Sequence, residues 1–190
     1  MVQDDNGNNS SILRFFLTAS NLKRLKRKGW ISKIHMDPLV VESVADHSYM
    51  LALIALVISD LKHMNTCKVL KISLLHDLAE SIVGDYMPEE LGKEEKRRLE
   101  DNAIRELLSL LPEDISKEYV SLWEDYVDKK SKESLLVHEI DKFEMALQAK
   151  VYEHVGYDTE DLKRFYEYAK PYINDHFIKY LFEKLLIKNS

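Results

Sequence analysis

Apolar residues recur at intervals of three and four along almost the whole chain, and no segment alternates apolar with polar residues over the length of a strand. A chain patterned in this way must bury one face of each helix against other helices, so the fold class is all-α. The spacing predicts helices over about residues 11–25, 43–62, 66–82, 93–110, 113–128, 132–153, 158–169 and 171–188, with a loop from Gly29 to Val41. Gly84, followed by Pro88, ends the third of these, and Pro171 separates the last two. At 190 residues the chain fits one domain, expected over residues 11–190 behind a disordered tail, MVQDDNGNNS, at residues 1–10.

Composition narrows the function classes. Hydrophobic residues at 45% and charged residues at 32% lie well away from the balance of disordered chains. Cys67 has no second cysteine to pair with and reads as a small buried hydrophobe. No apolar leader is seen and no uninterrupted apolar run is read as membrane-spanning, which implies a cytoplasmic protein with no membrane partner. A net charge of −6 argues against a nucleic-acid polymer as partner, because that affinity rests on an excess of cations over phosphates. A small anion held by locally concentrated cations fits the same balance.

Chemistry concentrates in three helices. His47 shares a face with Leu51, Ile54 and Ile58, and His76 shares one with Val69 and Ile72, so both imidazoles point inward. Asp77 follows His76, and Asp141 lies inside the apolar-rich run LLVHEIDKFEMAL, where an isolated charge is costly to bury. Each residue alone reads as an ordinary core His or surface Asp. Together, two imidazoles and two carboxylates suit one divalent ion among Mn, Co, Ni, Fe, Zn and Mg. Residues 78–140 hold no further histidine except His138, which favours a single metal and leaves His138 as either a neighbour of Asp141 or a surface residue. Glu80 lies one helical turn after His76, placed either to move a proton over the metal or simply to solvate a helix end. Asp85 follows Gly84 on a turn, where it either projects over a cleft or serves the turn itself. The stretch NLKRLKRKGW carries Lys23, Arg24, Lys26, Arg27 and Lys28, by itself a solvated basic face. Trp123 reads as core, and His35, His63, His154 and His176 lie outside the constellation.

The segments VADHSYMLALIA, ISLLHDLAESIVGDYMPEE and VHEIDKFEMALQAKVYE together resemble the HD-domain superfamily, in its branch of 5′-deoxynucleotidases, over about residues 12–155. The resemblance implies a single-domain HD-domain helical bundle that hydrolyses nucleoside 5′-monophosphates, deoxyribonucleotides above all, with one divalent metal. It implies metal ligands at His47, His76, Asp77 and Asp141, a catalytic acidic residue at Glu80, and a substrate-contacting Asp at Asp85. In the family's Arg-x-Gly-Trp pattern, Arg27 becomes the phosphate-binding residue and Trp30 a wall for base or sugar; a planar guanidinium suits phosphate because it donates two parallel hydrogen bonds. A homodimer is also implied. The rival readings are a hydrolase of another phosphate ester, such as a nucleoside triphosphate or a cyclic nucleotide, and a metal-stabilised regulatory module without turnover. Glu80 and Arg27 speak against the latter, since a structural metal needs neither.

Overall fold

A computed structural model describes residues 6–87 and 90–187. Pro88 and residues 1–5 of the expected tail lie outside the described residues. The order is α1 (Asn6–Ala19), a 3₁₀ turn (Ser20–Lys23), α2 (Lys28–Ile34), α3 (Val44–Leu61), α4 (Thr66–Leu75), α5 (Glu80–Val83), α6 (Lys93–Leu108), α7 (Glu113–Asp128), α8 (Lys132–His154), α9 (Thr159–Ala169), a 3₁₀ turn (Lys170–Tyr172) and α10 (His176–Leu186). Among the described residues there is no strand, only an isolated antiparallel bridge between Lys26 and Ser43.

Local chemistry sets the ends of the elements that matter for the site. Ser43 caps α3 in a reciprocal capping box with Asp46, and Asn65 caps α4 by accepting from the Lys68 amide. Asp125 accepts from both the amide and the hydroxyl of Ser131, the residue that caps α8. Gly84 ends α5 at φ +89°, a conformation that a side chain disfavours. Leu51, Ala55 and Ile58 of α3, Val69 and Ile72 of α4, and Val137, Ile140 and Ala146 of α8 form one buried cluster. Three helices interlock there, and burying each Leu- or Ile-sized side chain contributes about 1.5–3 kcal/mol. A second cluster, with Leu75, Leu78, Ile104, Leu107 and Trp123, joins the end of α4 to α6 and α7.

Several expectations are corrected. Residues 6–10, expected as part of a disordered tail, are the start of α1. The loop expected from Gly29 to Val41 contains α2. The single helix expected over residues 66–82 is broken: α4 ends at Leu75, residues 76–79 form a turn, and α5 begins at Glu80. Hydrogen bonds three residues apart, from the amides of Leu78, Glu80 and Ser81, tighten this stretch. Cys67 is exposed, not buried, because it occupies the outer side of the first turn of α4. By length and composition α3 does reach the range of a membrane-crossing helix, against the expectation of no such run. One side of it packs in the core, with Leu51, Ala55 and Ile58 in the cluster shared with α4 and α8 and His47 0% exposed, while Tyr49, Leu53 and Val57 on its other side are exposed.

Candidate metal centre and its pocket

Four donor groups expected from the sequence meet at the crossing of α3, α8 and the turn after α4. His47 Nε2 is 3.3 Å from His76 Nε2, 3.6 Å from Asp77 Oδ2 and 3.4 Å from Asp141 Oδ1. Asp77 Oδ2 is 3.1 Å from His76 Nε2. Ligand atoms at ~2.1 Å from one ion are spaced by roughly 3.0–3.5 Å at adjacent positions, so these separations are the edges of a coordination polyhedron. His47, His76 and Asp77 make the tight group, with donor atoms all within 4.8 Å of one another, and Asp141 approaches it through His47.

The tautomers explain why a cation fits. His76 Nδ1 lies 2.7 Å from the Ser73 carbonyl and must donate to it, which leaves the Nε2 lone pair bare. His47 Nδ1 lies 2.5 Å from Glu144 Oε2, again fixing the proton away from Nε2. Two bare nitrogens facing each other at 3.3 Å, with two carboxylate oxygens beside them, need a positive charge between them. Without metal a proton is the substitute: burial and Arg27 oppose charge on His47, but Glu144 and Asp141 outweigh them and push its pKa up to about 10. Burial alone would raise Asp77 and Asp141. The neighbouring His76 and Arg27 hold Asp77 low, as Lys142 and His47 hold Asp141.

A pocket of about 320 Å³ opens over these donors. Arg27, Lys96 and Lys142 line it against Asp77, Glu80, Asp85, Glu100 and Asp141. Three cations against five carboxylates is a poor receptor for a phosphate until a divalent ion restores the balance. Arg27 Nη1 is 3.4 Å from Asp77 Oδ2, which brings the expected phosphate clamp to the donor cluster. Its backbone is pinned by Arg27 N donating to Glu42 O (3.2 Å) and by the Lys26–Ser43 bridge. Lys142 Nζ holds Asp141 Oδ2 at 2.8 Å, leaving Oδ1 to face His47.

Glu80 is 5% exposed, and its Oε2 is one of two buried side-chain polar atoms without a partner among the described residues. Burial, then the charges of Asp77 and Asp85, raise its pKa well above the ordinary carboxylate value. This is not a solvated helix end. Asp85 lines the pocket and accepts from the Lys28 amide at 2.8 Å, which ties the turn after α5 to the segment bearing Arg27. Trp30 backs the pocket without presenting a free face: it is 2% exposed, lies 4.1 Å from the Phe165 ring, and donates Nε1–H to Glu42 at 2.8 Å. His138 stacks on Tyr126 at 4.0 Å and contacts the Tyr126 carbonyl at 2.8 Å, joining α8 to α7. Trp123 is core, its Nε1–H donated to Asp101.

Glu42 and Glu144 were missed by sequence reasoning. The signal for Glu144 was available: it sits three residues after Asp141 in EIDKFEMA, on the same inward face of an apolar helix. Glu42 carries no comparable pattern, since it lies outside any helix and acts through its neighbours in space.

Comparison with known proteins adds an independent line. The family model described as HD domain matches residues 19–180. The 5′-deoxynucleotidase HDDC2 of Mus musculus is 39% identical over 168 residues, covering 88% of this chain and 82% of that protein. The 5′-deoxynucleotidase hdd1 of Schizosaccharomyces pombe is 37% identical over 160 residues, covering 82% and 79%. Among solved structures, a Pyrococcus horikoshii protein superposes with a TM-score of 0.74 at 31% identity, covering 91% of this chain and 95% of that one.

Proposed function

The chain belongs to the HD-domain family, whose members are metal-dependent phosphohydrolases, and on that premise we propose that it hydrolyses deoxyribonucleoside 5′-monophosphates to nucleoside and phosphate at the His47–His76–Asp77–Asp141 centre. The single observation that carries this reading is the union, in one pocket, of a bare-nitrogen donor set, a guanidinium beside it and a buried carboxyl with no partner. The names of the relatives supply the substrate class.

His47, His76, Asp77 and Asp141 would hold one divalent ion. When bound, such an ion supplies a Lewis acid for the phosphoryl oxygens and acidifies water. The residues of the chain do the rest. Arg27 receives two phosphoryl oxygens on its planar fork and stabilises the charge that develops on them. Lys142 keeps Asp141 turned with one oxygen inward. Glu80 gives its proton to the 5′-oxygen as the phosphorus–oxygen bond breaks, while water supplies the new oxygen on phosphorus; one of the water's protons stays with the phosphate and the other restores Glu80. Asp85 holds the Arg27 segment against the turn after α5 and faces the substrate from the pocket wall.

For assembly, we propose a homodimer, the state that the family resemblance implies. Sedimentation of the purified protein tests this separately.

The test of function is phosphate release over the deoxyribo- and ribonucleoside monophosphates, the triphosphates and the cyclic nucleotides. It is run on chelator-stripped protein restored with Mn, Co, Ni, Fe, Zn or Mg. Turnover of deoxyribonucleoside monophosphates, with about one metal bound per chain, is the expected result. Hydrolysis confined to triphosphates or cyclic nucleotides would overturn the substrate class, and a donor set that binds no metal would overturn the centre.

A further inference from the structure

The geometry points to Glu144 as the positioning residue that fixes the tautomer of His47 and thereby sets the affinity of the metal centre. The inference rests on the metal centre read above. Its starting point is an asymmetry between the two imidazoles. His76 is oriented by a backbone carbonyl, that of Ser73 in the last turn of α4, three residues earlier. His47 is oriented by a side chain ninety-seven residues away, through Oε2 of Glu144 on α8. No backbone carbonyl replaces that contact.

Both partners are sealed from solvent, His47 at 0% and Glu144 at 1% exposure. A buried carboxylate facing an imidazole nitrogen accepts a hydrogen bond from its N–H, so the neutral His47 ring keeps its proton on Nδ1 and its lone pair on Nε2. Free imidazole favours the opposite tautomer, with the proton on the nitrogen that here faces the other donors. Removing the acceptor therefore lets that proton close the position the metal needs. An ionised acceptor also polarises the ring and makes Nε2 a stronger donor than a neutral carbonyl would, as outer carboxylates do behind other metal-bound histidines.

Position on the helix makes Glu144 part of the site's architecture. It lies three residues after Asp141, so α8 presents one carboxylate to the front of His47 and another to its back. The ring is clamped between them, with Asp141 Oδ1 3.4 Å from Nε2 and Glu144 Oε2 2.5 Å from Nδ1. A shift of α8 along its axis would disturb a ligand and its orienting group together.

The experiment is calorimetric titration of Mn and Zn into chelator-stripped, full-length wild-type, Glu144→Gln, His47→Ala and double-variant proteins, with thermal midpoints of the metal-free forms taken in parallel. Glu144→Gln keeps shape and one acceptor oxygen but no charge. It is expected to hold its metal-free midpoint within a few degrees while binding metal roughly 10–100-fold more weakly. In the His47→Ala background the same change is expected to cost nothing further, because Glu144 acts only through that ring. Should Glu144→Gln fail to fold, Glu144→Asp, which withdraws the carboxylate by one methylene, is read against the same outcomes. Wild-type metal affinity in a folded Glu144 variant, or equal losses with and without His47, would overturn the assignment. Failure of the wild-type protein itself to bind metal would instead overturn the metal centre. No nucleotide enters either measurement, so the substrate class is not at stake.

Discussion

Replacing Glu80 with Gln separates proton transfer from architecture. The side chain is 5% exposed, and one of its oxygens has no partner. Gln therefore fits the same space and removes only the titratable proton. If Glu80 protonates the leaving oxygen, kcat should fall by roughly 10²–10⁴, or about 3–5 kcal/mol in barrier, the span for losing a general acid. Stability should move the other way. Burial, then Asp77 and Asp85, raise the Glu80 pKa above its ordinary 4.5. A raised carboxylate contributes stability that is fully present below the unfolded value and lost as pH rises through the folded one. Gln escapes that loss. Metal-free Glu80→Gln should thus match the wild type below the ordinary carboxylate value and exceed it increasingly as pH rises through the raised one. Phosphate release, metal content and thermal midpoints at several pH values, measured on one preparation, decide the matter. A folded, metal-loaded Glu80→Gln protein with near wild-type turnover would refute the proton-transfer role. A variant that loses stability with rising pH as steeply as the wild type would refute the electrostatic reasoning.

Two further outcomes follow from the same pocket. Arg27→Ala should lower kcat/KM for nucleoside monophosphates by roughly 30–1,000-fold, the cost of a lost charge-assisted clamp, with metal content unchanged; Arg27→Lys should recover only part, since it keeps the charge and loses the fork. Unchanged kcat/KM in Arg27→Ala would remove the clamp. Glu42 is pushed from 4.5 to about 7 by burial and then by the charge of Glu144, which is worth up to about 3 kcal/mol of stability present below about 4.5 and lost as pH rises through about 7. Urea unfolding of metal-free protein should therefore show Glu42→Gln gaining on the wild type between pH 5 and pH 8 by up to that amount. A gap that stays constant over this range would show that Glu42 titrates normally.

By itself the sequence determined most of the helices, their inward faces and the four candidate donors that the structure brings together. Helical periodicity, capping by Ser43 and Asn65 and termination at Gly84 act over a few residues, so they are legible along the chain. His47, His76, Asp77 and Asp141 stood out because each is a polar group on a face otherwise committed to the core. The break of the expected third helix at residues 76–79 was not legible, because its residues favour a helix; Leu75 and Leu78, on either side of His76 and Asp77, both lie in the second buried cluster. That break brings Asp77 into the donor cluster and Glu80 into the pocket beside it. The setting of Trp30 was not legible for a related reason: it lines the pocket, but its ring packs against Phe165, far along the chain on α9. Glu144 and Glu42 gained meaning only when α3 crossed α8, bringing a carboxylate within hydrogen-bonding distance of a ring ninety-seven residues earlier. A tautomer, a raised carboxyl pKa and a set of donor separations are properties of that crossing. They depend on the distance and dielectric between groups remote in sequence, which tertiary packing alone decides.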